Sequence, residues 1–413
     1  MNVEIRFPAY DAQGRAYVTW RPVEVKLRLV AAPAGASAVP VTLSARSLAN
    51  GGSLHFATHL THQGTATLAI TLPADGAEVS VWVGGAFPTA SLKFGDVTIE
   101  VRDQGSNQLL GNHPTMVRVR KDANTLTGAE RDRFLAALAT LNGAGNGRYK
   151  DFRDMHVGGP PDTEAHGGPG FLPWHRAYLL DFERELQAID PEVTLPYWRF
   201  DRPAPNVFNR SFMGVANNFN QVEFAAGNPL TGWIAQGASP LIDRGNGVGP
   251  QTTPSLRSEG QTLALGGSPQ PRFGPFAAMQ GNPHGSAHMS HVSGWITSIS
   301  TAPRDPIFFL LHCNVDRLWA KWQWAAKIHD PADPDAFASG TFRAGHNLAD
   351  AMWPWSGPLA PPRPTTAPGG PLARSPMTPA PAPNPRVSEM IDYLGTVSAT
   401  HLAFAYDDVP FEI

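Results

Sequence analysis

Six of the chain's 14 histidines fall in two runs whose spacing suits metal binding. The first run, 149–187, reads YKDFRDMHVGGPPDTEAHGGPGFLPWHRAYLLDFERELQ and carries His156, His166 and His175. The second is split. NPHGSAHMSHVSGW at 282–295 holds His284 and His288, and DPIFFLLHCNVDRLWAKWQW at 305–324 holds His312. Neutral imidazole suits Cu, Zn, Fe and Ni. With one cysteine in 413 residues, Cys313, a thiolate-built zinc site is excluded, and any metal site must come from His, Asp and Glu. A lone buried histidine is more often a hydrogen-bonded core residue than a ligand. Here each of two apolar helices buries a histidine that has two partners upstream. That joint arrangement predicts a metal site without identifying the metal.

The remaining histidines do not repeat this pattern. His55, His59 and His62 lie in an alternating stretch where 55 and 59 face one way and 62 the other, which argues against a shared ion. His291 competes with His288, but the four-residue step from His284 favours 288, because a helix puts both on one face. His113, His329, His346 and His401 have no partner pattern.

The elements that must position the six are readable from periodicity. Helices are predicted over about 173–189 and 306–326, with Pro173 suited to a first turn. His175 shares a face with Leu179, Phe182 and Leu186; His312 shares one with Phe308, Val315 and Trp319. An amphipathic helix is predicted to open at Thr127, with Glu130 completing a capping box. The stretch 202–282 is rich in Gly, Asn and Pro and reads as irregular surface loops. The expected class is a mainly α helical-bundle metal domain with long loops, preceded by an all-β sandwich. The expected division is a β-sandwich at 1–120, the metal domain at 121–356, a Pro-rich linker at 357–386 and a terminal strand segment at 387–413.

Bulk properties narrow the partners. A formal charge of −3 with no Lys/Arg run gives no footprint for nucleic acid or an anionic membrane. No segment is apolar for long enough to span a bilayer, and the first residues lack a signal-peptide pattern, so a cytoplasmic location is expected.

HGGPGFLPWHRAYLLDFERELQ at 166–187 resembles the first copper motif of the type-3 copper family of tyrosinases, catechol oxidases and hemocyanins, including its bacterial tyrosinase-like central domain. LPYWRF at 195–200 and the 305–323 segment resemble two further stretches, in the family's order. The resemblance spans roughly 117–355 and implies two copper ions, one held by His156, His166 and His175, the other by His284, His288 and His312. Where the family usually has two adjacent histidines, this chain has Leu311 followed by His312, so the ligand position is kept. Members with a Cys–His thioether carry Cys where this chain has Glu164. Cys313 reads as a small buried residue. Asp316 and Glu183 are placed to orient the imidazoles of His312 and His175, or to pair with Arg176, Arg184 or Arg317.

The resemblance also implies the reaction: a polyphenol oxidase that uses O2 on small phenols. Members that hydroxylate monophenols well often carry Asn after the first histidine of the second set and Glu a few residues before it. Gly285 and Gln280 stand there instead, so oxidation of o-diphenols or o-aminophenols is expected to exceed hydroxylation of tyrosine. Met289 and Ile299 are expected at an apolar substrate mouth. The alternatives are a true tyrosinase, a hemocyanin-like oxygen carrier, and a zinc-loaded relative.

Overall fold

A computed structural model describes the chain except residues 31–34, 36–37, 157–159, 236, 238, 246–255, 291–292 and 358–369. His291 and the first part of the expected Pro-rich linker therefore lie outside the described residues. The chain divides into two compact units: Met1–Val119 with 375–380 and Leu394–Ile413, and Arg120–Arg374 with 381–393. No helix among the described residues is long and apolar enough to cross a membrane.

The first unit is built from nine strands: β1 (Asn2–Arg6), β2 (Ala16–Val18), β3 (Val23–Val30), β4 (Ala38–Ser47), β5 (Leu54–Ala57), β6 (Thr67–Pro73), β7 (Val79–Gly85), β8 (Val97–Asp103) and β9 (Leu109–Val117). One sheet runs β1-β3-β7-β5 and the other β2-β9-β8-β4-β6. All named pairings are antiparallel except β2 with β9. Alternation makes the core: Val23, Val25, Leu27 and Leu29 of β3 turn inward, as do Val39, Val41 and Leu43 of β4. Leu43 faces Val101 across the β4–β8 ladder. This is the expected β-sandwich. Residues 394–413 return to this unit, and Trp20 Nε1 donates to Tyr406 O at 2.7 Å. They do so without a named strand. Their apolar residues Leu402, Tyr406 and Val409 are buried by packing, where the alternation had suggested ladder pairing.

The second unit corrects the expected helical bundle. Of the described residues, 28 % are helical and 20 % are in strands. The unit's long helices, among the described residues, are α1 (Gly128–Asn142), α4 (Phe171–Ile189) and α5 (Ile307–Ala326). Between α1 and α4 lie the short α2 (Tyr149–Met155) and α3 (Pro160–Ala165), and most of the rest is brief turns and irregular chain. The cause is composition. Gly and Pro recur through the chain between α1, α4 and α5 and break helical periodicity there. Helix α1 begins as expected: Thr127 accepts from Glu130 N, and the Glu130 side chain accepts from Thr127 N.

The site rests on α4 and α5. They meet through Phe182 and Phe309, whose rings stack at 3.7 Å and 8°. Tyr149 and Phe152 of α2 pack edge-on against the same pair. Trp198 N donates to Leu310 O at 2.9 Å, tying the 195–200 segment to α5. Ahead of α5, Asp305 accepts from Ile307 N and holds Arg244 through both carboxylate oxygens, at 2.6 and 2.7 Å. Arg244 also donates to Met213 O, so this buried pair fastens the irregular loops to the start of the helix.

Candidate metal centre

Six imidazoles converge between α4, α5 and the loops before them. His175 lies one turn into α4, and His312 lies on the second turn of α5. Because the helices are packed face to face, these two rings stack at 4.4 Å and 12°. His156 follows the end of α2, and His166 follows α3. His284 and His288 sit on consecutive helical turns, Gly281–Gly285 and Ser286–His288, so their four-residue step does put them on one side. Within each set, His156–His166–His175 and His284–His288–His312, the ligand atoms lie within 4.8 Å of one another.

Hydrogen bonds decide which nitrogen of each ring points inward. Nδ1 of His156 meets Ile299 O at 3.1 Å, and Nδ1 of His175 meets Phe171 O at 2.8 Å. Nδ1 of His284 meets Gln280 O at 2.8 Å, and Nδ1 of His288 meets Ile296 O at 2.7 Å. A carbonyl only accepts, so each of these Nδ1 atoms carries the proton and Nε2 keeps its lone pair. His166 Nδ1 is likewise engaged, by Asp162 O at 3.3 Å and Asp162 Oδ1 at 3.0 Å. His312 differs: its Nδ1 has no hydrogen-bond partner, and Phe308 at 4.1 Å and His175 hold its ring.

The inward nitrogens are short of partners. Nε2 of His156 and of His175 is buried with none. Nε2 of His312 lies 3.1 Å from Nε2 of His288 and 3.3 Å from that of His284. Lone pairs aimed at one another repel unless a cation lies among them. A donor set of six neutral imidazoles with no carboxylate fits copper.

Electrostatics keep the set neutral. Burial holds all six below the ordinary imidazole range, and neighbouring imidazoles push His156, His175, His284 and His312 further down. His288 is lowered to about 4. The sign follows from linkage. Between pH 6.5 and the folded-state value, unfolded chains bind protons that the fold refuses, so stability falls as pH falls. For His288 alone, 6.5 to about 4 amounts to about 3 kcal/mol. Metal-free protein is therefore expected to lose urea stability steadily from pH 7 to pH 4. A flat urea midpoint over that range would contradict this picture of the rings.

Asp316 and Glu183 do not orient the rings. Asp316 pairs with Arg176 at 2.6 Å and Arg120 at 3.2 Å. Glu183 pairs with Arg120 at 2.8 Å and accepts from Leu195 N. They form a buried ionic network that joins α4 to α5, and main-chain carbonyls take the orienting role. Glu164 is buried and accepts from Trp353 N. Cys313 is buried, with Sγ 3.4 Å from Leu195 O. His55, His59 and His62 are not among the metal-competent groups of the described residues.

Two positioning features had not been singled out. Asp162, four residues before His166, supplies a carboxylate that touches a ligand ring, the one such carboxylate among the described residues; the i, i+4 step is the available signal. His346 donates to Thr163 O through Nε2, and its Nδ1 accepts from Gly170 N. Arg343 donates to Thr163 O, His166 O and Gly167 O. Together they clamp the loop that carries His166. Nothing in the sequence signals contacts across more than 170 residues.

A cavity of about 520 Å³ opens onto the centre. Gln280, Gly285, Met289 and Ile299 all line it, beside His156, His166, His284 and His288. Met289 and Ile299 are 63 % and 48 % exposed, as befits a mouth.

Residues 146–325 match the family described as "Common central domain of tyrosinase". A tyrosinase of Streptomyces glaucescens is 32 % identical over 58 % of this chain and 92 % of its own length. One from Streptomyces antibioticus is 29 % identical over 58 % and 93 %. A grixazone synthase of Streptomyces griseus is 31 % identical over 50 % and 85 %.

Proposed function

The chain belongs to the tyrosinase family of dinuclear copper oxidases, and we propose that it oxidises ortho-diphenols to ortho-quinones and hydroxylates monophenols weakly if at all. In this reading His156, His166 and His175 hold one copper, and His284, His288 and His312 hold the other. When bound, the pair supplies redox chemistry with O2. Two diphenols each give up two electrons and two protons, and one O2 leaves as two waters.

This chain's residues do the rest. Five rings are locked by Nδ1 hydrogen bonds, so their Nε2 atoms need not reorganise as the electron count changes. Buried aromatic rings, Phe171 and Phe308 among them, keep water from behind the imidazoles. The cavity has room for a phenolic ring beside His156, His166, His284 and His288.

The observation that carries the preference is the wall at Gln280 and Gly285. No carboxylate is found among the described lining residues, so among them none but the ligands can take a phenolic proton. Ring hydroxylation needs such a base, whereas diphenol oxidation removes only electrons and the protons that follow them. A positioned base contributes about 10²–10⁴-fold. Catechol turnover is accordingly expected to exceed that of tyrosine or phenol by at least about a hundredfold. Monophenol turnover within tenfold of catechol would overturn the preference. Installing the base reads the same feature in reverse. A Cβ at Gly285 meets only Gln280 O, at 3.5 Å, so Gly285→Asn fits. Gln280→Glu with Gly285→Asn is expected to raise monophenol hydroxylation at least about tenfold.

A further inference from the structure

The cavity carries more information than the absence of a base. Gly281 and Gly285 have ordinary helical backbones, with φ of −74° and −59°, so neither conformation requires glycine. Packing does not require it either: a Cβ at Gly281 meets nothing within 4 Å, and one at Gly285 only a single atom. Glycine inside helical turns costs stability relative to alanine. What the two glycines do is leave space, and Ala277 and Ala278 continue the same small-residue wall.

Opposite chemistry is missing as well as bulk. Among the described residues the lining contains no Asp, Glu, Lys or Arg, and its polar groups are the imidazoles, Gln280 and Thr297. Met289 and Ile299 add exposed apolar surface at the rim. The cavity of about 520 Å³ takes in both the space beside the imidazoles and this small-residue wall, so a ring held at the histidines has the wall within reach of a substituent. Pockets bind what matches their room and polarity.

We propose that this cavity contains a second-ring subsite, walled by Ala277, Ala278 and Gly281 and rimmed by Met289 and Ile299, which selects uncharged ortho-diphenols bearing a second apolar ring over amino-acid catechols. The proposal rests on the diphenol-oxidase reading above. The chemistry at the first ring is unchanged; the subsite sets which molecule is presented. A zwitterionic tail finds no counter-charge on this wall and loses hydration on entering, whereas a phenyl ring exchanges water for apolar contact.

The test is a substrate series on copper-loaded enzyme: catechol, 4-phenylcatechol, 3,4-dihydroxyphenylalanine and 3,4-dihydroxyphenylacetate. Burying about half of an added phenyl ring is expected to raise kcat/KM for 4-phenylcatechol at least about tenfold over catechol. Both charged catechols are expected to fall below catechol itself. Gly281→Phe fills the subsite. It is expected to lower the 4-phenylcatechol to catechol ratio at least about fivefold, mainly through KM, with no fall in melting temperature. A ratio that stays put in this variant, or a charged catechol that matches 4-phenylcatechol, overturns the subsite while leaving diphenol oxidation intact. No turnover of catechol itself would defeat the diphenol-oxidase reading instead.

Discussion

Replacing His312 by alanine is expected to reduce bound copper from two ions to about one per chain and to lower catechol oxidation by at least about three orders of magnitude. The effect is large because His312 is the point where the second set meets. Its Nε2 is 3.1 and 3.3 Å from those of His288 and His284, and its ring stacks on His175 of the first set. Losing it leaves two imidazoles, too few to fix a metal in a defined geometry, and removes support from a ligand of the neighbouring set. The fold itself is expected to survive. The ring's Nδ1 makes no hydrogen bond that alanine would orphan, and α5 is held by Phe309, Asp316 and Trp319. Metal analysis and circular dichroism on the same sample separate the outcomes. A folded variant that keeps two coppers, or retains a tenth of the activity, contradicts the assignment.

Asp316→Ala is expected to be the most damaging change outside the ligands, costing about 3–5 kcal/mol in unfolding free energy. Asp316 is buried and receives Arg176 on one oxygen and Arg120 on the other. Arg176 has further partners: Gln323 Oε1, Met390 O, and the faces of Trp319 and Tyr393 at 3.7 and 4.6 Å. Removing the carboxylate deprives two buried guanidiniums of a shared counter-charge, leaving Glu183 paired with Arg120. The cost is that of uncompensated charge, so an apolar replacement of the whole pair should recover much of it. Urea unfolding of Asp316→Ala and of Arg176→Met with Asp316→Leu tests both points. If the single variant loses under 1 kcal/mol, or the double variant is worse than the single, the network does not hold α4 to α5 as described.

The legible parts of this protein were those set by local periodicity. Alternation in VEVKLRLV and DVTIEV marks the sandwich, and Thr127 with Glu130 marks the start of α1. The i, i+4 apolar faces of α4 and α5 suffice to place His175 and His312 inward. The two strong helices carry a bundle's periodicity, but Gly and Pro keep the chain between them irregular, so the domain is not a helical bundle. The ring-orienting groups were missed for a different reason. Carbonyls of Phe171, Gln280, Ile296 and Ile299 do that work, and a main-chain oxygen leaves no trace in residue identity. Asp316 and Glu183 attracted the role because acidic residues are visible, but arginines from distant segments, Arg120 above all, claim them first. Contacts such as His346 to Thr163 depend on the whole fold and have no local signature.

The central claim is that each histidine set holds its own copper. The most direct measurement is a crystal structure of copper-loaded protein, with anomalous data collected on both sides of the copper absorption edge. Two copper peaks are predicted, one bounded by His156, His166 and His175 and one by His284, His288 and His312, each among the inward Nε2 atoms. A single peak shared by the six, a peak that does not respond to the copper edge, or copper seated away from these rings would contradict it.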